Sequence, residues 1–264
     1  MPDSRAPDSL LLERADGVAT VTLNRPEARN ALNSDLLRGL YDALVDLEGD
    51  DSVAVVIITG TDPAFCAGLD LKELGATGGN LRGSASGGRE RAGAPWPELS
   101  KPLIGAVNGV AVTGGFELAL NCDFLIASER ARFGDTHARV GLLPGWGLSV
   151  LLPQAIGVRR AKEMSLTGNF MDADEALNFG LVNRVVPHDE LLPVARQVAA
   201  DIAGNDQRAV RALLDEYKRV TATTVSEGLR IEAELARGWQ GTSFDPAEVE
   251  RRRQAIVDRG RTQV

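Results

Sequence analysis

Hydrophobic and polar positions divide the chain into a strand-rich front and a helical back. Leu10–Arg14 and Val18–Leu23 flank the pair Asp16-Gly17, which tolerates positive φ, so this stretch predicts a β-hairpin. The polar loop Asn24–Asn30 follows. Leu36, Leu37, Leu40, Leu44 and Leu47 recur at helical spacing, and Asn33 or Ser34 can cap a helix that runs through about Glu48. Val53–Gly60 is a near-continuous β-branched run. It reads as a strand buried on both faces, and hence as part of an α/β arrangement.

Two junctions then stand out. Asp62–Leu74 reads as a loop in which Gly68 frees the backbone and Asp70 caps a helix that starts near Leu71. Further on, an apolar run from Ile104 predicts a buried strand, and the pair Gly114-Gly115 opens a helix that carries Glu117. Backbone N–H groups at such a helix start have no intrahelical acceptor, and a carboxylate three residues in lies within reach of a ligand bound there. That layout can form an oxyanion site with an acid/base beside it, or it can be plain packing. Between the junctions, the glycine-rich stretch 75–97, with Trp96 between two prolines, reads either as a surface loop or as a lid over a site.

After Asp123 the pattern predicts short strands at 124–127 and 131–134, then a long turn-rich connection from Asp135 to Gly147. Helices follow from about Leu148, over 158–166 and over 173–179, with a strand at 181–187. The remainder predicts helices near 191–203, 206–219, 222–236 and 246–258.

Composition narrows the chemistry. A net charge of −8 over 264 residues argues against broad nucleic-acid or anionic-membrane binding, so an anionic ligand has to rely on local Lys, Arg and N–H groups. Cys66 and Cys122 sit among apolar or small residues and point to a reducing compartment rather than a disulfide scaffold. With His137 and His188 as the only histidines, no zinc-like ligand cluster is visible. No apolar run spans a bilayer and the N-terminal residues lack an apolar signal core, so the expected location is cytoplasmic, with no membrane or nucleic-acid partner.

Three segments together resemble the crotonase superfamily, the enoyl-CoA hydratase/isomerase family: Leu23–Leu32, Ala64–Lys72 and Val107–Glu117. Phe133-Gly134, Leu143–Gly145 and Ala176–Val182 extend the match. The resemblance implies an α/β fold, a crotonase-like spiral of ββα units over 1–195, with a C-terminal helical region over 196–264 used in trimerisation and often in a dimer of trimers. It implies an acyl-CoA thioester as ligand, with coenzyme A entering as part of the substrate and no separate cofactor or metal. The oxyanion donors would be the N–H groups of Leu69 and Gly114. The loops Ala28–Ala31 and Ala67–Leu71 would contact the nucleotide and pantetheine: Ala28, Arg29, Ala31, Ala67, Gly68, Leu69, Asp70, Leu71, Lys72 and Gly114. Arg29 and Lys72 are phosphate candidates or ordinary solvated charges.

The chain departs from the family pattern in three places. Thr113 replaces the usual glycine or alanine and narrows the turn, though the Gly114-Gly115 pair remains and the oxyanion site is expected to survive. Glu117 matches the first of the two glutamates that hold a water in hydratases, but the second falls on His137. Three readings follow. Glu117 acts as the single acid/base, which suits double-bond isomerisation; Glu117 and His137 form a working pair; or His137 is structural in a site with other or weakened chemistry. Asp135 is a minor further candidate and reads more readily as a turn residue. The C-terminal Arg251–Arg253 run serves either phosphates or a solvated face. The expected function is hydration of the 2,3 double bond of an enoyl-CoA, with an isomerase, or an acyl-CoA-binding protein of this fold, as the alternatives.

Overall fold

This computed structural model describes residues 8–80 and 94–262, and among them are ten strands and the helices that connect and follow them. The strands are β1 (Leu10–Ala15), β2 (Val18–Leu23), β3 (Val55–Gly60), β4 (Ala64–Cys66), β5 (Leu103–Val107), β6 (Val110–Val112), β7 (Phe124–Ser128), β8 (Arg132–Gly134), β9 (Phe170–Asp172) and β10 (Arg184–Val186). The helices are α1 (Ser34–Gly49), α2 (Leu71–Ala76), α3 (Gly114–Leu120), α4 (His137–Val140), α5 (Leu148–Ile156), α6 (Val158–Thr167), α7 (Ala173–Asn178), α8 (Leu191–Ala203), α9 (Gln207–Thr221), α10 (Val225–Thr242) and α11 (Pro246–Thr262).

The strands form two sheets, ordered β1-β2-β3-β5-β7-β10 and β4-β6-β8-β9. β1 and β2 are the expected antiparallel hairpin, with Asp16 at φ 52° and Gly17 at φ 78° in its turn. The other pairings of the first sheet are parallel. Each of β3, β5 and β7 is followed by a strand of the second sheet and then a helix. This gives three successive ββα units, β3-β4-α2, β5-β6-α3 and β7-β8-α4, the spiral that the resemblance implied. One core fills the space between α1, the first sheet and the second sheet, with Leu36, Leu40, Leu44, Phe65, Phe116 and Phe133 all buried. Trp96 belongs to this core rather than to an exposed loop. Of the stretch read as loop or lid, 81–93 lies outside the described residues.

A polar string fastens the carboxyl ends of β3, β5, β7 and β10. Ser128, at the end of β7, is 3.0 Å from His188 Nδ1. His188, just past β10, places Nε2 2.9 Å from Asp62 Oδ2, past β3. Asn108, past β5, donates to Asp62 Oδ1 at 2.9 Å. After β3, β5 and β7 the chain leaves the first sheet for the second here, and after β10 it enters α8; the side chains take up polar groups that would otherwise lack partners.

The structure differs from the sequence expectation in several places. The segment 62–70 holds strand β4, the run from Ile104 holds two strands, β9 was not foreseen, and the 135–147 connection holds the one-turn helix α4. Strands of three residues are too short to show a period, and pairing across the second sheet defines them. One compact unit ends at Arg211, well past β10, and the second runs from Ala212. The reason is α8, whose Leu191, Ala195 and Ala199 pack with Val55, Ile57, Ile104 and Ile126 on the other face of the first sheet. Within the second unit, Arg251 and Arg252 pair with Glu248, and Arg253 pairs with Glu250 at 3.0 Å on α11, which favours the solvated-face reading of that run.

Candidate active site

The two junctions singled out in the sequence meet in space. Leu32 donates from its N–H to Gly68 O at 2.8 Å and accepts from Asp70 N–H at 3.0 Å, an isolated parallel bridge opposite Leu69. In such a bridge the N–H and C=O of the intervening residue point away from the partner strand, so Leu69 N–H is turned to the other side. The loop is pinned around it. Asp70 caps α2 through the N–H groups of Lys72 and Glu73 and pairs with Arg25 at 3.0 Å. Glu73 reaches back to Ser34 N–H at 2.9 Å, capping α1 as well. Arg25 also donates to Ala31 O, and Ala67 N–H donates to Arg29 O at 3.0 Å, so 28–31 and 67–71 lie side by side.

Gly114 is the first residue of α3, where an N–H has no intrahelical acceptor. The glycines here answer to close packing. A Cβ on Gly115 would stand 2.2 Å from Cys66 O, and one on Gly68 would stand 2.0 Å from Thr113 Oγ1. Gly68 also takes φ 83°. Thr113 itself adopts φ 47°, ψ −116°, an outlier for a β-branched residue. It is held there because its N–H donates to Gly134 O at 3.0 Å while its O accepts from Glu117 N–H at 2.9 Å. The turn therefore survives the threonine.

A cavity of about 110 Å³ opens between these elements. Its lining brings together Leu69, Gly114, Glu117 and His137, the four residues expected to act, with Ala67, Leu71 and Thr113. Aliphatic and aromatic side chains complete the wall: Leu74, Val140, Leu142, Leu143 and Trp146. Arg29 and Lys72 are exposed outside the cavity, as suits groups that would meet a soluble phosphate. Ala28 and Ala31 sit on the loop beside Ala67.

Glu117 is 2% exposed. Trp146 N–H donates to its Oε1 at 2.7 Å, and its Oε2 lies 3.7 Å from His137 Nε2. Asn121 holds that arrangement from behind, donating to Trp146 O at 2.7 Å and to Glu117 O at 2.9 Å. Burial pushes the Glu117 carboxyl above the usual range, against the pull of the Trp146 N–H and the nearby imidazole.

His137, 8% exposed, is bonded on its other ring nitrogen: Nδ1 is 2.7 Å from Asp135 Oδ1, which also accepts His137 N–H at 3.1 Å. Asp135 is 1% exposed. Burial opposes its ionisation, yet bonds from His137 and Ser165 outweigh that and keep the carboxyl below the ordinary range. Asp135 is thus no simple turn residue. Its i, i+2 spacing to His137 was visible in the sequence, but the buried side-chain bond was not. Trp146, the donor to Glu117, left only the Pro-Gly-Trp-Gly turn pattern as a signal.

Residues 13–254 match the enoyl-CoA hydratase/isomerase family. A probable enoyl-CoA hydratase of Rhizobium meliloti is 42% identical over 231 residues, covering 86% of this chain and 88% of its own. The crystal structure of an enoyl-CoA hydratase from Mycobacterium tuberculosis H37Rv superposes with a TM-score of 0.75 at 54% identity, covering 89% of this chain and 100% of its own. A monofunctional enoyl-CoA isomerase from M. smegmatis superposes with a TM-score of 0.69 at 37% identity, over 84% of this chain and 98% of its own.

Proposed function

The chain belongs to the enoyl-CoA hydratase/isomerase family, and from that premise we propose an enoyl-CoA hydratase that adds water across the 2,3 double bond of an acyl-CoA thioester. The observation that carries this reading is the placement of Glu117. It is a buried carboxyl with one oxygen fixed by Trp146 N–H and the other facing an imidazole, on the wall of a cavity shared with Leu69 and Gly114.

Addition to C3 sends the π electrons to the thioester oxygen and makes an enolate. Two fixed N–H donors, Leu69 and Gly114, stabilise that charge without having to reorganise, and losing one such donor typically costs about 2.7–4 kcal/mol of barrier. Glu117, whose carboxyl burial pushes above the usual range, delivers a proton to C2. The aliphatic wall takes the acyl chain. The strip formed by 28–31 and 67–71 takes the pantetheine and nucleotide, with Arg29 and Lys72 free to reach phosphate.

The same reading includes a homotrimer or a dimer of trimers. Its support is the apolar surface left open on the last helices, where Val225 is 83% exposed and Leu229 and Phe244 are also exposed. It also includes a cytoplasmic location, supported by two unpaired thiols, Cys66 and Cys122. Among the described residues no helix is long and apolar enough to cross a membrane.

A second reading, isomerisation, rests on Glu117 being the one carboxylate among the described residues that line the cavity. A single base carries a proton between carbons without a bound water. Crotonyl-CoA hydration measured beside isomerisation of a 3-enoyl-CoA, each across pH 5 to 9, separates the two. Hydration as the faster reaction is the expected result, and isomerisation without hydration overturns it.

A further inference from the structure

In this family's hydratases a second glutamate is expected where His137 stands, and an imidazole can replace it only if its cavity-facing nitrogen accepts a hydrogen bond. Neutral histidine has one donor and one acceptor nitrogen, and the bond made by one fixes the other. Here Asp135 Oδ1 lies 2.7 Å from Nδ1 and also accepts His137 N–H, a fork that holds both ring and backbone. An ionised carboxylate only accepts, so the proton sits on Nδ1 and the lone pair of Nε2 faces the cavity and Glu117.

We propose that Asp135 and His137 form a dyad that stands in for the missing second carboxylate, with His137 Nε2 as the base that activates water and Asp135 as the residue that positions it. The proposal rests on the hydratase reading. In the step, a water O–H bond breaks and its proton goes to Nε2 as the water oxygen bonds to C3. The C2–C3 π pair moves onto the thioester, whose oxygen is held by Leu69 and Gly114 N–H. The Glu117 proton goes to C2 and restores the carbonyl. The imidazolium then returns its proton to the Glu117 carboxylate through the next water to enter between them, where Nε2 and Oε2 stand 3.7 Å apart, which regenerates both groups. Asp135 stabilises the imidazolium while it exists, as the carboxylate of a hydrolase triad does.

The decisive readout is 15N NMR of the unmodified protein labelled at histidine. Nδ1 is expected to carry the proton and Nε2 to be bare. Protonated Nε2 in the neutral ring overturns the dyad, whether or not any variant folds. Kinetics give the second arm. Asp135→Asn preserves size but lets the side-chain amide donate to Nδ1 and reverse the tautomer. Hydration kcat is then expected to fall by about 10²–10⁴-fold with KM changed by less than about three-fold, the loss seen when such a carboxylate is neutralised elsewhere. Because Asp135 acts through His137, the Asp135→Asn/His137→Gln double variant should lose no more than His137→Gln alone. Full kcat in Asp135→Asn, or additive losses, overturns the proposal. A protein that binds acyl-CoA but hydrates no enoyl-CoA refutes the hydratase reading instead, and the NMR arm still judges the dyad.

Discussion

The chain's two histidines sit in strings that look alike on paper and differ in every respect that matters for chemistry. His188 lies between a serine and an aspartate, Ser128 at 3.0 Å and Asp62 at 2.9 Å, the residue types of a hydrolytic triad. His137 lies between an aspartate and a glutamate. Yet Ser128 is fully buried and its Oγ already accepts Arg130 N–H at 3.1 Å, so no substrate can reach it. Asp62 is on the ring's outer side, 59% exposed, and faces Nε2, whereas Asp135 faces Nδ1 of His137. The His137 string ends in a cavity beside two backbone donors, whereas the His188 string ends in the sheet. Composition and spacing of a polar string therefore do not mark a catalytic site; an open acceptor and a place for the reacting atoms do.

The strongest way to break this contrast is to neutralise Glu117. Glu117→Gln keeps the oxygen that accepts Trp146 N–H and removes the proton donor. Hydration kcat is expected to fall by about 10²–10⁴-fold. Stability should move the other way. Burial raises the folded-state pKa of Glu117, so the stability it contributes is complete at low pH and is lost as pH rises through the folded value. At neutral pH the buried charge is a liability that glutamine removes, and a Tm rise of about 2–4 °C is expected, the shift that ~1 kcal/mol makes in a domain of this size. A variant that is inactive but less stable than the parent at pH 7 would contradict the assignment of Glu117 as a functionally retained, strained carboxyl.

Next in size comes His188→Ala. It removes two hydrogen bonds that tie β3, β7 and β10 together and leaves a buried hydroxyl short of a partner, a loss of about 1–3 kcal/mol by urea unfolding. Hydration kcat should stay within about two-fold of the parent. A large fall in kcat with stability intact would mean that the His188 string is functional after all. Ser128→Ala sharpens the point at lower cost, about 0.5–1.5 kcal/mol, because Arg130 N–H lies near the surface and can turn to water.

What the amino-acid pattern disclosed follows the same division. The hairpin, α1 and β3 were legible because five or more residues in a row repeat a period or a β-branched run. Leu69, Gly114 and Glu117 were legible as two glycine-marked junctions, and the structure brings those junctions to one cavity. Strands β4, β8 and β9 were too short to carry a period, and only β8 was anticipated, from Ala131-Arg-Phe-Gly134. Asp135 and Trp146 act through bonds that depend on the fold around them: a carboxylate turned inward to a ring nitrogen, and a backbone N–H aimed at Glu117 from 29 residues away. The sheet face that α8 covers was hidden for a related reason, since it is a tertiary fact.

The smallest effect separates the two aspartates by acid. In both, burial opposes ionisation but hydrogen bonds outweigh it and hold the folded pKa below the ordinary one: His137 and Ser165 at Asp135, Asn108 and His188 at Asp62. A depressed carboxyl pKa contributes stability that is present above the unfolded value of about 3.9 and is lost as pH falls through the folded value. Unfolding free energy should therefore drop between pH 5 and pH 2, and each Asp→Asn variant should flatten that drop. Asp62 is 59% exposed, so solvent screening holds its share to a few tenths of a kcal/mol, about the level of a surface pair. Asp135 is buried, and its variant should flatten the acid limb more. Equal flattening by the two variants would show that the buried dyad is no more strongly coupled than the string at the sheet edge, and the contrast between the two histidines would then rest on cavity access alone.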